Sequence, residues 1–339
     1  SFNLFLMSEP VWPKIGNEKN VEFLNRVVLS KKPAQTYIFL GPDDLGKSTI
    51  ALAFARNLMA EALEGKDGLN SDLHILEAEA EKKSISIEQT RELIKALSLS
   101  SFLDSYKIGI IKEADSLTTE AQNALLKTLE EPREKVILIL IAENEEALLP
   151  TILSRAQKLY FQPVKAETIY DFLISEYQAQ RSLAKDLANL SLGRPLKAVR
   201  FLENADLYAN YLEKATLFLT LFPLGINSRL EVLDKIFIDK TYSATATKGA
   251  QEILSMVEGL LRDLLLIHFN QPEKIQHSAL KIELDTATKE IEKIIGSEKE
   301  QDNFTLFILE RFKLSAMARE YISANVNPRL VLEQLIINL

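Results

Sequence analysis

The stretch Gly41–Thr49, "GPDDLGKST", decides how the rest of the chain is read. Gly41, Gly46, Lys47 and Ser48 fill the pattern G-x-x-x-x-G-K-[ST]. Its surroundings suit that pattern. The apolar "TYIFL" (Thr36–Leu40) precedes it, and the amphipathic "STIALAFARNLM" begins within it at Ser48. A phosphate-binding loop needs glycines so that backbone N–H groups can close around an anion. It also needs the next helix to aim its positive end at the same charge. Lys47 is expected to reach the outer phosphates of ATP or ADP. Ser48 is expected to ligate Mg²⁺ beside the nucleotide, with Thr49 next in the same turn. Asp43 and Asp44 oppose this reading, because a carboxylate within a few Å of a triphosphate is repelled by about 1 kcal/mol or more. The loop therefore poses three options: hydrolysis of ATP, holding without hydrolysis, or a retained shape.

Outward from the loop, short apolar runs alternate with amphipathic segments. "TYIFL", "LHIL" (Leu73–Leu76), "KIGII" (Lys107–Ile111), "VILILIA" (Val136–Ala142) and "KLYF" (Lys158–Phe161) read as strands. Most are apolar throughout, as strands of a parallel sheet covered on both faces are. "SIEQTRELIKAL" predicts a helix from Ser86 with Gln89 at capping-box spacing, and Ile87, Thr90, Ile94 and Leu97 near one face. "TEAQNALLKTLEEP" predicts another from Thr119, with Gln122 at the same spacing. Ala121, Ala124, Leu125 and Leu129 form its inner stripe, and Pro132 is its stop. After Pro163 the strand signals cease. The layout is an α/β domain over 1–163, a small helical domain over 164–205 broken at "SLGRP", and a larger all-α domain over 206–339 whose last helix starts at Asn327 and Pro328.

Bulk properties bound the function. The 339 residues suffice for two or three domains, with 47% hydrophobic and 26% charged residues, as in water-soluble globular proteins. No apolar run reaches the roughly 20 residues of a membrane span, so no membrane partner is expected. The opening "SFNLFLM" lacks the features of a signal peptide and reads as an edge strand or a cloning remnant. With no cysteine, disulfides and a thiolate zinc site are excluded. His74, His268 and His277 lie far apart and read as surface or core residues. The expected location is cytoplasmic. The net charge of −8 favours protein partners over independent DNA binding.

An ATPase needs a second strand ending in acids, one holding Mg²⁺ and the next polarising the attacking water. The candidate is "KIGIIKEADSLT" (Lys107–Thr118). Lys112 stands where the metal-holding carboxylate belongs, and a cation there cannot ligate Mg²⁺. Glu113 is the candidate for the water-orienting acid. Asp115 serves the metal only if the turn bends it inward. Both acids also fit a solvated acidic loop.

"EAQNALLKTLEEP" (Glu120–Pro132) followed by "LLPTILSRAQKLYF" (Leu148–Phe161) resembles the AAA+ clamp-loader subunits of bacterial DNA polymerase III. "SISIEQTRELIKALSL", "VEGLLRDLLLI" and "NVNPRLVLEQLIINL" agree with it, so the resemblance covers nearly the whole chain. It implies an AAA+ P-loop domain, a helical lid and a C-terminal collar that joins subunits into an open ring. ATP at the ring's interfaces shapes it to open a sliding clamp and fit primed DNA. Each site is completed in trans by an arginine of a Ser-Arg-Cys motif, which stands here as Ser154, Arg155, Ala156, so that Arg155 matches the arginine finger.

Departures from the family sort its branches. The zinc-binding cysteines are missing around Glu61–Asn70. Lys112-Glu113 replaces Asp-Glu. Leu196 takes the place of the lid's nucleotide-sensing arginine, with Arg194 and Lys197 assigned to other helix faces. Asn144 is the candidate sensor after "VILILIA". The resemblance therefore implies the non-motor, delta-prime-like branch over the gamma/tau motor branch, with weak or absent ATPase of its own. Implied partners are gamma/tau and delta through the collar, the clamp indirectly, and primed DNA in the assembly. Alternatives are a true ATPase using Glu113 and Asp115, and a P-loop kinase or another AAA+ adaptor, which leaves the "LLKTLEEP" and "PTILSR" blocks unexplained.

Overall fold

The computed structural model describes residues 10–63, 72–78, 84–99, 106–131, 133–237, 244–296 and 301–339. "SFNLFLM", most of the Glu61–Asn70 stretch and Pro132 lie outside the described residues. Two compact units emerge: one of residues 1–172 and 193–196, the other of 173–192 and 197–339.

The first unit is built on a parallel sheet of strands β1 (Thr36–Leu40), β2 (Leu73–Leu76), β3 (Lys107–Ile111), β4 (Val136–Ala142) and β5 (Gln157–Tyr160). Their order across the sheet is β2-β3-β4-β1-β5, the α/β arrangement expected from the sequence. The uniformly apolar runs are the inner strands: every residue of β1 and β3 is buried, and all of β4 after Val136. Burying each such Ile, Leu or Phe contributes about 1.5–3 kcal/mol, so these strands specify the sheet by mass of apolar area. The edge strands β2 and β5 are partly exposed. Helix α1 (Glu18–Ser30) and its cap residue Asn17 answer the β5 edge and the residues just after it with side chains: Asn20 Nδ2 donates to Tyr160 O at 2.9 Å, and Asn17 Oδ1 accepts from Gln162 N at 2.8 Å.

Helix α2 (Lys47–Leu63) follows β1. Helix α3 (Ile87–Ser98) carries the expected capping box of Ser86 and Gln89. Its buried residues are Thr90, Leu93 and Leu97, and Ile94 packs partly buried against the same core, so Leu93 joins the face expected from the sequence. Helix α4 (Thr119–Glu130) begins where expected, but its cap is Thr118, one residue before the Thr119 that the spacing suggested, and Thr118 accepts from Ala121 N. Gln122 thereby leaves the capping role. It is buried, donating to Ala147 O (2.9 Å) and accepting from Leu149 N (2.8 Å), where the sequence suggested Ala124 for the stripe. Leu149 caps the short helix α5 (Pro150–Leu153), so Gln122 fixes the segment entering it.

Helix α6 (Ala166–Tyr177) crosses from the first unit into the second, which is helical: α7 (Arg181–Leu190), α8 (Pro195–Glu203), α9 (Ala205–Leu219), α10 (Ile226–Ile236), α11 (Ala244–His268), α12 (Lys281–Ile295), α13 (Gln301–Ser323) and α14 (Pro328–Ile337). Asn327 caps α14 by accepting from Arg329 N. Helix α11 is the centre of the apolar core, with Leu254, Leu260, Leu261 and Leu264 at 0% exposure. At its side lies a buried polar chain. Asp263 accepts from the backbone N–H of Gln276 (2.9 Å) and His277 (2.7 Å) and from His277 Nδ1 (2.8 Å). With that proton on Nδ1, Nε2 accepts from the Tyr211 hydroxyl at 2.8 Å, and burial pushes the Tyr211 phenol up, which keeps it a donor. Gln276 Nε2 donates on to Leu190 O, and Ser278 Oγ to Asp186, so α7, α9 and α11 are pinned by one network.

Replacing Asp263 with Ala strips the acceptor from three buried donors, so Asp263→Ala is expected to lower the stability of this unit by about 3–5 kcal/mol. Urea unfolding followed at the helical unit's transition measures it. A loss under about 1 kcal/mol would show that the network is not what pins these helices.

Candidate functional site

Strand order reverses at β1, which lies between β4 and β5 in the sheet, and the loop after β1 opens at this switch point. Gly41 N–H donates to Ala142 O (3.3 Å) and Glu143 O (3.1 Å), tying the loop to the end of β4. Gly41 (φ +138°) and Gly46 (φ +84°) hold backbone that side chains rarely adopt. A Cβ at Gly41 would lie 2.4 Å from Phe161 O, and one at Gly46 would lie 2.0 Å from Ile15 Cδ1. The Phe161 backbone requires glycine at 41, and at 46 the torsion does, since the Ile15 methyl could move aside; neither depends on what the loop binds. Helix α2 makes its first turn bond from Ile50 N to Gly46 O. The N–H groups of Lys47, Ser48 and Thr49 precede it, at the positive end of the helix. Ser48 and Thr49 are half-buried there.

Lys47 is 5% exposed. Its ammonium donates to Gly41 O and, at 2.9 Å, to Pro42 O, and it lies 3.8 Å from Asp43 Oδ1. Burial pulls its pKa below the ordinary value, while Asp43, Glu143 and Asp115 pull the other way. Those three carboxylates surround one cation. The turn Ala114–Ser116 bends Asp115 inward, where its Oδ1 accepts from Glu143 N at 2.6 Å. Burial raises the Asp115 pKa, and this hydrogen bond opposes the rise. Glu143 is exposed as a residue, yet its carboxyl is partly enclosed by the loop and hydrogen-bonds Asp43. Desolvation first, then the Asp43 charge and Asp115, push it up to about 7.

The other expected site residues fall elsewhere. Lys112 turns to Glu77 (2.8 Å), and Glu113 is an exposed residue in left-handed backbone (φ 53°). Asn144 is exposed, and it is Glu143, one residue earlier, that reaches the loop. Its position directly after the apolar run of β4 was the only signal for it in the sequence. Arg194 was assigned to another face of a helix, but it precedes α8, which begins at Pro195. Leu196 N–H donates to Asp44 O at 3.0 Å, so this segment lies on the loop and the Arg194 charge acts on Lys47. Arg155 sits away from the loop, beyond α5. Its Nη1 donates to Thr151 O (2.9 Å) and Ser154 Oγ (3.2 Å), and its Nη2 to Glu130 Oε1 (3.0 Å).

The helix end, the loop backbone and Lys47 form a donor set that fits a phosphate, and the bordering carboxylates weaken it. Among the described residues no group of three or more His, Cys, Asp or Glu is arranged to hold a metal ion. Among them, too, no helix is long and apolar enough to cross a membrane.

Residues 16–165 match the family described as DNA polymerase III, delta subunit. The chain is 27% identical over 321 residues to DNA polymerase III subunit delta' of Bacillus subtilis, covering 90% of this chain and 91% of that protein. It is 30% identical over 181 residues to the delta' subunit of Pseudomonas aeruginosa, 49% of this chain and 55% of that one. It is 31% identical over 168 residues to the tau subunit of Bacillus subtilis, 46% of this chain and 29% of tau. The chain thus spans nearly all of the first relative, about half of the second and under a third of the third.

Glu143 binds its proton more tightly when folded than when unfolded, so between its ordinary pKa of 4.5 and about 7 the folded chain holds the extra proton and stability falls as pH rises. Glu143→Gln removes that liability while keeping a donor toward Asp43. At pH 8 the variant is expected to melt a few degrees above the wild type, about what 1 kcal/mol gives, after discounting for its exposure. The gap should close by pH 5. Thermal melts at both pH values measure it, and equal melting at pH 8 would remove the carboxylate crowding.

Proposed function

We propose that this chain, a relative of the delta-prime subunits of DNA polymerase III, serves as a non-motor subunit of a clamp loader: it helps to open a sliding clamp and load it onto primed DNA, and it completes a neighbour's ATP site with Arg155. The observation that carries this reading is the end of β3. Lys112 occupies the position of a metal-anchoring acid and is paired with Glu77, so its charge is committed away from any Mg²⁺. A loop with phosphate donors but without that acid suits holding ATP or ADP over cleaving it. Gly41, Gly46, Lys47, Ser48 and Thr49 are the proposed nucleotide contacts, and Ser48 the group that would touch Mg²⁺ accompanying the nucleotide.

The proposed divisions at 163 and 205 separate the AAA+ domain, lid and collar. Collar assembly with gamma/tau and delta is supported by α13, where exposed Leu306, Leu309, Met317 and Tyr321 recur on one helical face. An apolar face of this kind favours contact with another protein over water. The motor reading keeps one favourable observation: Asp115 does reach the loop. Its carboxylate is already engaged by Glu143 N–H and crowded by Asp43, which argues against it as the metal anchor.

Arg155 is partly exposed, so Arg155→Ala is expected to leave the isolated chain folded, with its melting temperature within about 2 °C of wild type. In the loader reconstituted with its other subunits, ATP turnover should fall, because loss of an arginine finger removes about 10³-fold or more at the site it serves. Unchanged turnover in that mutant loader would remove the trans role.

A further inference from the structure

We propose that Glu130 is a positioning residue for Arg155: it fixes the guanidinium in the orientation in which Arg155 meets the phosphates of the neighbouring site. The inference rests on the reading of Arg155 as a finger, and it adds the residue that holds that finger still.

Three acceptors hold the guanidinium from two sides. Thr151 O and Ser154 Oγ take Nη1 from within α5 and its cap, at 2.9 and 3.2 Å. Glu130 Oε1 takes Nη2 at 3.0 Å from a different element, the last residue of α4. Contacts on both terminal nitrogens set the plane of the group, which a single contact cannot do. These bonds use both protons of Nη1 and one of Nη2, which leaves the second Nη2 proton and Nε–H, on a side chain that is 37% exposed. A phosphate arriving there meets donors already oriented, and preset donors avoid the reorganisation that a swinging arginine must undergo.

The identity of residue 130 favours this role over chance. The C-terminal end of a helix carries partial negative charge, so an acid there is disfavoured and a basic residue is preferred. Glu130 ends α4 nonetheless, and Glu131 follows it. The residue is 52% exposed, where a pair with arginine adds little to folding. An acid in an unfavourable electrostatic place, with little stability to gain, is accounted for by what it holds. Its mount is firm: Gln122 of the same helix is bonded to Ala147 and Leu149 ahead of α5, so α4 grips both the base of the arginine's segment and its tip.

The test uses the reconstituted loader with wild type, Arg155→Ala, Glu130→Ala and Glu130→Gln, measuring kcat and KM for ATP, with melts of each isolated chain. Glu130→Ala is expected to lower kcat about fivefold, the scale on which an exposed ion pair acts, with KM and melting temperature unchanged. Glu130→Gln keeps an acceptor oxygen and is expected to recover most of the rate, which a merely structural role would not predict. If Arg155→Ala slows the loader and Glu130→Ala does not, or speeds it, positioning by Glu130 is overturned while the finger stands. If Arg155→Ala has no effect, both are overturned.

Discussion

One ammonium faces three carboxylates at the mouth of the phosphate loop, and the behaviour of the site follows from that imbalance. Lys47 is buried and leans on the carbonyls of Gly41 and Pro42, with Asp43, Asp115 and Glu143 around it. Partial burial disfavours a charge there, and the neighbouring Asp43 and Asp115 carboxylates add to it, so one of the three acids holds its proton more tightly. Glu143 is that acid. A phosphate entering the loop must then compete for Lys47 with acids already in place, and Arg194 is the other cation whose charge reaches that position. The donors suit a phosphate, and in the proposed reading the charge balance and the cation at Lys112 are what withhold the metal chemistry that cleavage needs.

The sheet order is what brings these groups together. Because β1 lies between β4 and β5, the loop after β1 meets Glu143 after β4, and the turn after β3 carries Asp115 to the same place. The same layering sets Arg155 apart, after α5, on the first unit's surface and clear of the chain's own loop. On the proposed reading the chain then carries a phosphate loop in one place and, elsewhere, a cation placed for a neighbouring chain. In α4 the two tasks of support are divided between a buried amide at Gln122, which anchors backbone, and an exposed acid at Glu130, which contacts the arginine.

Much of the fold was legible because burial on both faces leaves an unmistakable apolar run, as in "VILILIA", and because Gly41, Gly46 and Pro328 each have few conformations open to them. What stayed hidden depends on tertiary placement. Thr118 and Thr119 offer the same cap chemistry one residue apart, so the cap of α4 was placed one residue late and Gln122 was read as a cap partner when it is a buried strut. Nothing local marks Glu113 as left-handed, and that single torsion sends Glu113 outward as the chain turns Asp115 in. Glu143 and Arg194 join the site through contacts across strands and loops, with no spacing to announce them.

The central claim is that Lys112 deprives this chain of a magnesium anchor, so that it cannot cleave ATP by itself. Phosphate release by the isolated chain with saturating Mg–ATP tests this directly. The account predicts release indistinguishable from a protein-free control. Steady release that disappears in Lys47→Ala would contradict it.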